Sequence, residues 1–200
     1  WRDRLKHDTI TDAAELTYAA EILALLNRLE GRPADDYHLL MRLFAKARQE
    51  IDRTYWPAYV AEAIVLWAKH NPTYAMEALG EALTLNPASS DAWLLVCMVG
   101  VDSFNFDLVE VALSKLRAIH SDHLFADILR AHLLLKQKDA VGANELIADT
   151  LEHYPQQREL LALLAASEAM RYDEQATAAA LQRFDEIAPG SPLAPRTARK

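Results

Sequence analysis

Residues 124–155 read LFADILRAHLLLKQKDAVGANELIADTLEHYP. Here Ile128, Ala131, Leu134 and Leu135 recur at the spacing of one helical face. Lys138-Asp139 then turns the chain, and Ala143, Leu146, Ile147 and Thr150 resume the period. Pro155 follows, where proline cannot continue a helix. Two apolar faces across a short turn predict a helical hairpin. No short run in the chain alternates with period two, so no strand is expected.

The hairpin repeats at an offset of 34 residues in both directions. Pro87, Pro155 and Pro189 share one column of that period, but three prolines alone do not decide. Four further columns agree. One holds small residues, Ala63, Cys97, Ala131 and Ala165, where two helices meet closely. A second holds Leu79, Leu113, Ile147 and Leu181, and a third holds Ile51, Leu85, Ile119, His153 and Ile187. The fourth, Ala75, Val109, Ala143 and Thr177, begins the packing face of each second helix. Ser121-Asp122 replaces proline in one window. Asn71-Pro72 suits the first turn of a helix, and Ser89, Ser90 and Asp91 offer caps for the helix carrying Trp93. Changeovers are expected near residues 31–35, 53–56, 70–73, 86–90, 102–106, 120–124, 136–140, 154–158 and 171–174.

The first 55 residues fit more loosely. Asp12 caps a long helix carrying Leu16, Ala19, Ala20, Leu23, Leu26 and Asn27, which Gly31-Arg32-Pro33 breaks. Asp35 or Asp36 starts a second helix through Ile51, with Met41 and Ala45 in the second-helix columns and Arg53 in the proline position. End repeats are often atypical because one face has no neighbour. The organisation expected is an atypical N-terminal hairpin or cap over 1–55, four repeats over 56–191, and a linker or tail over 192–200.

Composition agrees with an all-α reading. Alanine (35) and leucine (31) make up a third of the 200 residues, while glycine (5) and proline (8) are too few for a loop-rich β protein. A net charge of −8 argues against a surface that tracks phosphates. One cysteine excludes an intrachain disulfide framework and a cysteine-rich zinc site. The apolar runs are too short for a membrane span. The chain opens on Trp1, not methionine, and shows no signal-peptide pattern; with a native N-terminus expected upstream, the compartment of a soluble protein stays open, cytoplasm being slightly favoured.

At these columns the chain resembles the tetratricopeptide repeat (TPR) family. Tyr59 and Trp93 match its early first-helix aromatic, although Asp127 and Leu161 replace it later. Ala63, Cys97, Ala131 and Ala165 match its small residue; Ala75, Ala82 and Ala143 match its second-helix alanines; Val109, Leu116 and Thr150 depart from them. The resemblance implies a right-handed α-solenoid of about five antiparallel helical hairpins. A narrower likeness, carried by Tyr55-Trp56-Pro57-Ala58 and Ala188-Pro189-Gly190-Ser191-Pro192-Leu193, is to helical-repeat regions of large bacterial proteins, some of which continue into a metallopeptidase-like domain. The H-E-x-x-H of such a domain is not in this sequence.

No catalytic signature occurs, and no enzyme activity, cofactor or metal is expected. His120-Ser-Asp-His123 has H-x-x-H spacing but falls at a turn without a third ligand, so it reads as loop histidines in water. Cys97 reads as a buried structural thiol. The family's groove-lining slots transfer to Val60, Ile64 and Trp67, then Leu94, Met98 and Val101, then Phe125, Ile128, His132 and Leu135, and last Ala162, Ala166, Ala169 and Met170. Clamps for acidic peptide termini carry cations in these slots; here they are nearly all apolar. Some of the side chains are expected to pack within the array. As a row they imply a non-catalytic scaffold taking an apolar or amphipathic protein segment in its concave groove, with Trp67 and Phe125 as anchors. The alternative is a repeat region of a larger protein, possibly an enzyme, whose own other domain fills the groove. Self-association is open; nucleic acid and membrane insertion are not expected.

Overall fold

The computed structural model describes residues 10–31 and 36–191. The described residues form ten helices and no strand. These are α1 (Ala13–Leu29), α2 (Tyr37–Ala45, running on into a π-helical turn, Lys46–Ile51), α3 (Pro57–Ala68), α4 (Pro72–Leu85) and α5 (Ser90–Asp102). They continue as α6 (Phe106–Ile119), α7 (Leu124–Lys136), α8 (Ala140–His153), α9 (Arg158–Met170) and α10 (Glu174–Ile187). Two compact units divide the chain inside α5, one ending at Val99 and the other beginning at Gly100. The expected breakers Arg32-Pro33, the candidate cap Asp35 and the tail from Pro192 lie outside the described residues. No helix among the described residues is long and apolar enough to cross a membrane.

The turn inside each hairpin repeats in backbone geometry. His70, Phe104, Lys138 and Tyr172, spaced 34 apart, all adopt a left-handed conformation with φ of 58°, 57°, 66° and 61°. That conformation lets the amide of His70 reach Trp67 O at 2.9 Å and that of Asn71 reach Leu66 O at 3.0 Å. Lys138 and Asp139 do the same to Leu135 O and Leu134 O at 3.0 and 2.9 Å. The next residue in each turn then caps the second helix. Asn71, Asn105, Asp139 and Asp173 accept side-chain hydrogen bonds from the amides of Tyr74, Leu108, Gly142 and Ala176 at 3.5, 3.3, 2.9 and 2.9 Å. One residue closes the first helix and its neighbour opens the second, which fixes the hairpin length. Asp12 caps α1 in the same way, accepting from Glu15 N at 2.7 Å.

The first hairpin corrects one reading of the sequence. Second helices α4, α6, α8 and α10 end with the amides of Asn86, His120, Tyr154 and Ala188 bonded four residues back, to Ala82, Leu116, Thr150 and Phe184. In α2 the equivalent amide, Asp52, reaches five residues back to Ala47 O at 3.0 Å. The π turn thus absorbs one extra residue. Leu40, Phe44 and Ala47 therefore occupy the packing positions of Ala75, Leu79 and Ala82, and all three are buried. Met41 and Ala45, which an uninterrupted count of 34 places there, are only partly buried.

Each unit has its own packing. In the first, α1 packs on α2 and α3, and Leu16, Leu23, Leu40, Leu43 and Phe44 belong to one buried cluster. In the second, α8 packs on α7 and α9, and Ile128, Ile147, Leu151, Leu160 and Phe184 share another. The small-residue column Ala63, Cys97, Ala131 and Ala165 is buried throughout, Cys97 thiol included. Where α5 meets α6 the approach is closer still. A Cβ at Gly100 would stand 2.8 Å from Val109 Cγ2. The corresponding residues in neighbouring hairpins are Leu66 with Ala75 and Leu134 with Ala143, so a large residue on one helix faces a small one on the other.

Candidate functional site

The first helices of the hairpins stand side by side within each unit, α1 against α3 and α7 against α9. In the first unit, α1, α3 and α5 enclose a cleft of about 450 Å³. Four of the expected row, Val60, Ile64, Leu94 and Met98, come together there. They fall together because positions four apart on α3 and on α5 share a helical face. Val60 lies in the floor and is buried, Ile64 is exposed, and Leu94 and Met98 are half-buried. The aromatic residues Tyr18, Tyr55 and Trp56 complete the walls, and Glu21 and Asp91 supply carboxylates. Tyr18 comes from α1 and Tyr55 from the turn before α3.

Burial raises the Glu21 carboxyl above the ordinary carboxylate range. Burial also raises the Tyr55 hydroxyl, followed by the charges of Tyr18, Glu21 and Asp12. A second, smaller cleft of about 250 Å³ between α1 and α3 shares Glu21, Ala61 and Ile64 with the first and adds Leu25, Asn27, Arg28 and Lys69. The site is therefore an apolar trough with acidic groups along the larger cleft and cations at the far end of the smaller one. On another side of α3, Arg48 Nε lies 2.8 Å from Glu62 Oε2, and its guanidinium sits 4.8 Å from the centre of the Tyr59 ring. Burial still raises Glu62 despite this cation.

The remaining expected residues are placed differently. Trp67 is half-buried on α3 and is not part of the larger cleft. Val101 and Ile128 are buried, so their side chains serve packing rather than an open surface. Leu135 packs partly against the second unit's core. Phe125 is exposed and meets the His123 ring edge-on at 6.4 Å. His132 is half-buried; burial lowers its pKa, Lys136 adds to that, and Asp102 and Glu159 oppose it. Ala162 and Ala166 are half-buried, while Ala169 and Met170 are exposed. The rings of His120 and His123 lie 6.0 Å apart, and among the described residues no group of three or more His, Cys, Asp or Glu side chains is arranged to hold a metal.

Sequence reasoning misses Tyr18, Glu21 and Asp91. Treating the first hairpin as a cap assigns it no slots, although Tyr18 and Glu21 stand three apart and share a flank of α1.

No family model matches the chain, and no curated protein matches it in sequence. Solved structures do match. PilF of Pseudomonas aeruginosa superposes with a TM-score of 0.70 at 15% identity, over 90% of this chain and 79% of its own. TTC0263, a thermophilic TPR protein of Thermus thermophilus, gives 0.71 at 13% identity, over 88% and 93%. YrrB, a TPR protein with an unusual peptide-binding site, gives 0.60 at 18% identity, over 96% and 94%. With these likenesses, the repeated hairpin geometry shows that the chain has the tetratricopeptide-repeat fold.

Proposed function

We propose that this chain is a protein-interaction scaffold whose α1–α3–α5 cleft takes the apolar face of an amphipathic segment with a basic outer edge. The observation that carries this is the meeting of Val60, Ile64, Leu94 and Met98 with Trp56 under the carboxylates of Glu21 and Asp91. Apolar walls supply most of the affinity, while the acidic groups favour cationic partners and speed encounter. An acidic segment would have to desolvate its carboxylates beside Glu21, which burial already disfavours as an anion. The peptide-binding site of YrrB, on a similar fold, supports this class of function. In the second unit, exposed Phe125 on α7 is proposed as a further contact point.

A labelled leucine–lysine amphipathic helical peptide tests the proposal, with its leucine–glutamate counterpart as control. Fluorescence anisotropy is expected to show binding of the basic peptide and at least tenfold weaker binding of the acidic one. Ile64→Glu combined with Met98→Glu should remove binding while circular dichroism stays helical. Full binding by that variant would exclude the cleft.

A further inference from the structure

Helix α1 carries a second apolar feature, on the side opposite its buried face. Leu16, Ala20, Leu23 and Asn27 point into the protein. Tyr18, Ile22, Leu25 and Leu29 point away from it and are 61%, 48%, 48% and 74% exposed. Their spacing of four, three and four is that of a helix–helix seam. A helix with one face on a core ordinarily turns a polar face to water. Helix α10 does so, exposing Gln182, Arg183, Asp185 and Glu186. α1 does not.

We propose that this seam pairs with the same seam of a second copy, the two α1 helices lying antiparallel across a two-fold axis. The four residues are symmetric about their midpoint, so an antiparallel copy sets Tyr18 opposite Leu29 and Ile22 opposite Leu25, each pair occurring twice. The flank supports the same arrangement. Glu21 and Arg28 lie seven residues apart on one edge of the stripe. In antiparallel pairing that edge meets its own copy, which brings Glu21 level with Arg28 of the second copy, again twice. A parallel pair would not join these two charges. The four seam side chains expose on the order of 500 Å² per copy, against about 800 Å² per partner in a standard interface. Leu26, Ile64 and the charged flank are exposed or partly exposed nearby and extend the contact, so a reversible dimer is the expected assembly. Tyr18, Glu21 and Ile64 also line the larger cleft, so the pairing borders the proposed peptide contact; Ile22 and Leu29 do not line it, and their variant tests the pairing apart from that contact.

Sedimentation velocity on the full chain across a dilution series tests it. The wild type should sediment as a dimer at the concentrated end and dissociate on dilution. Ile22→Glu with Leu29→Glu should be monomeric throughout, with unchanged circular dichroism. Glu21→Arg alone and Arg28→Glu alone should each weaken self-association about tenfold or more, since each sets like charges opposite one another. Mixed in equal amounts, the two single variants should form a heterodimer at wild-type strength, because both pairs are then restored. A monomeric wild type, a dimer that survives the Ile22/Leu29 variant, or charge variants that fail to pair with each other would overturn the proposal.

Discussion

Four residues of unrelated chemistry, His70, Phe104, Lys138 and Tyr172, share one backbone conformation. In each case the left-handed φ is set by the turn and not by the side chain, and for a residue with a Cβ it costs about 1–2 kcal/mol. This column has no compositional sign, which is why the sequence does not reveal it; the Asn71, Asn105, Asp139 and Asp173 caps one residue later are its only readable trace. Lys138 is exposed, so relieving its strain disturbs little else. Lys138→Gly is expected to raise stability by about 0.5–1 kcal/mol in urea unfolding, the gain being reduced by the greater freedom of glycine in the unfolded chain. Lys138→Ala is the control, since alanine keeps the Cβ, and a glycine variant no more stable than the alanine one would refute the strain. His132 makes a pH prediction. Its folded pKa is lowered, mainly by burial and then by Lys136, while the unfolded histidine titrates near about 6.5. Below that value the unfolded chain takes up the proton first, so stability contributed by neutral His132 is present at higher pH and is lost as pH falls from about 6.5 through the lowered folded value. Glu21, Glu62 and Asp127, raised by burial, act in the opposite sense at lower pH: their contribution declines as pH rises through the carboxylate range. The difference in stability between wild type and His132→Gln isolates the histidine. It should be constant above about pH 7 and move in favour of the variant as pH falls, and a flat difference would mean that burial does not disfavour the charged ring.

Between elements, packing is a matter of matched sizes. α5 and α6 meet through Gly100 and Val109, whereas α3 and α4 carry Leu66 and Ala75 in the same positions, and α7 and α8 carry Leu134 and Ala143. Gly100→Leu is expected to destabilise by about 1–3 kcal/mol, because the new side chain drives into Val109. Val109→Ala alone should cost about 1 kcal/mol through the lost methyl groups. Together they recreate the neighbouring pairs, so the double variant should recover much of the loss, with a coupling of about 1 kcal/mol or more from urea midpoints. Additive losses would show that the two positions do not compete for one space. The same scale shows what the sequence discloses. The hairpin changeover near 86–90 is legible because apolar period, Pro87 and the Ser89 cap agree there, and that near 136–140 because the period and the Asp139 cap do. The register of the first hairpin is not, because the extra residue absorbed at Lys46–Ile51 changes a hydrogen-bond span without changing composition. For the candidate site, the family resemblance selects a helical face and implies Val60, Ile64, Leu94 and Met98, which line one cleft. It does not separate residues at the edge of that face from those turned inward, which is how buried Val101 and Ile128 come to be included.

Over the whole molecule, a repeat array divides its stability among units and their neighbours, so the end helices should open before the interior. Of α6 to α10, α10 has the fewest buried residues, Ala180 and Phe184, and it exposes Gln182, Arg183, Asp185 and Glu186. Phe184 is fully buried and closes the same cluster as Ile147, Leu151 and Leu160. Phe184→Ala removes a contribution of about 3–5 kcal/mol in a well-packed site. If stability were shared by one cooperative core, that loss would lower hydrogen-exchange protection by the same amount in every helix. In an array it should instead fall on α10 first and on α9 and α8 less, because those helices keep their contacts with α7 and with each other. Exchange followed by mass spectrometry should therefore show α10 amides of the variant nearly unprotected while those of α1 to α4 keep wild-type rates. Protection lost evenly from α1 to α10 would show that the two compact units unfold together, and the nearest-neighbour account of this chain would fail.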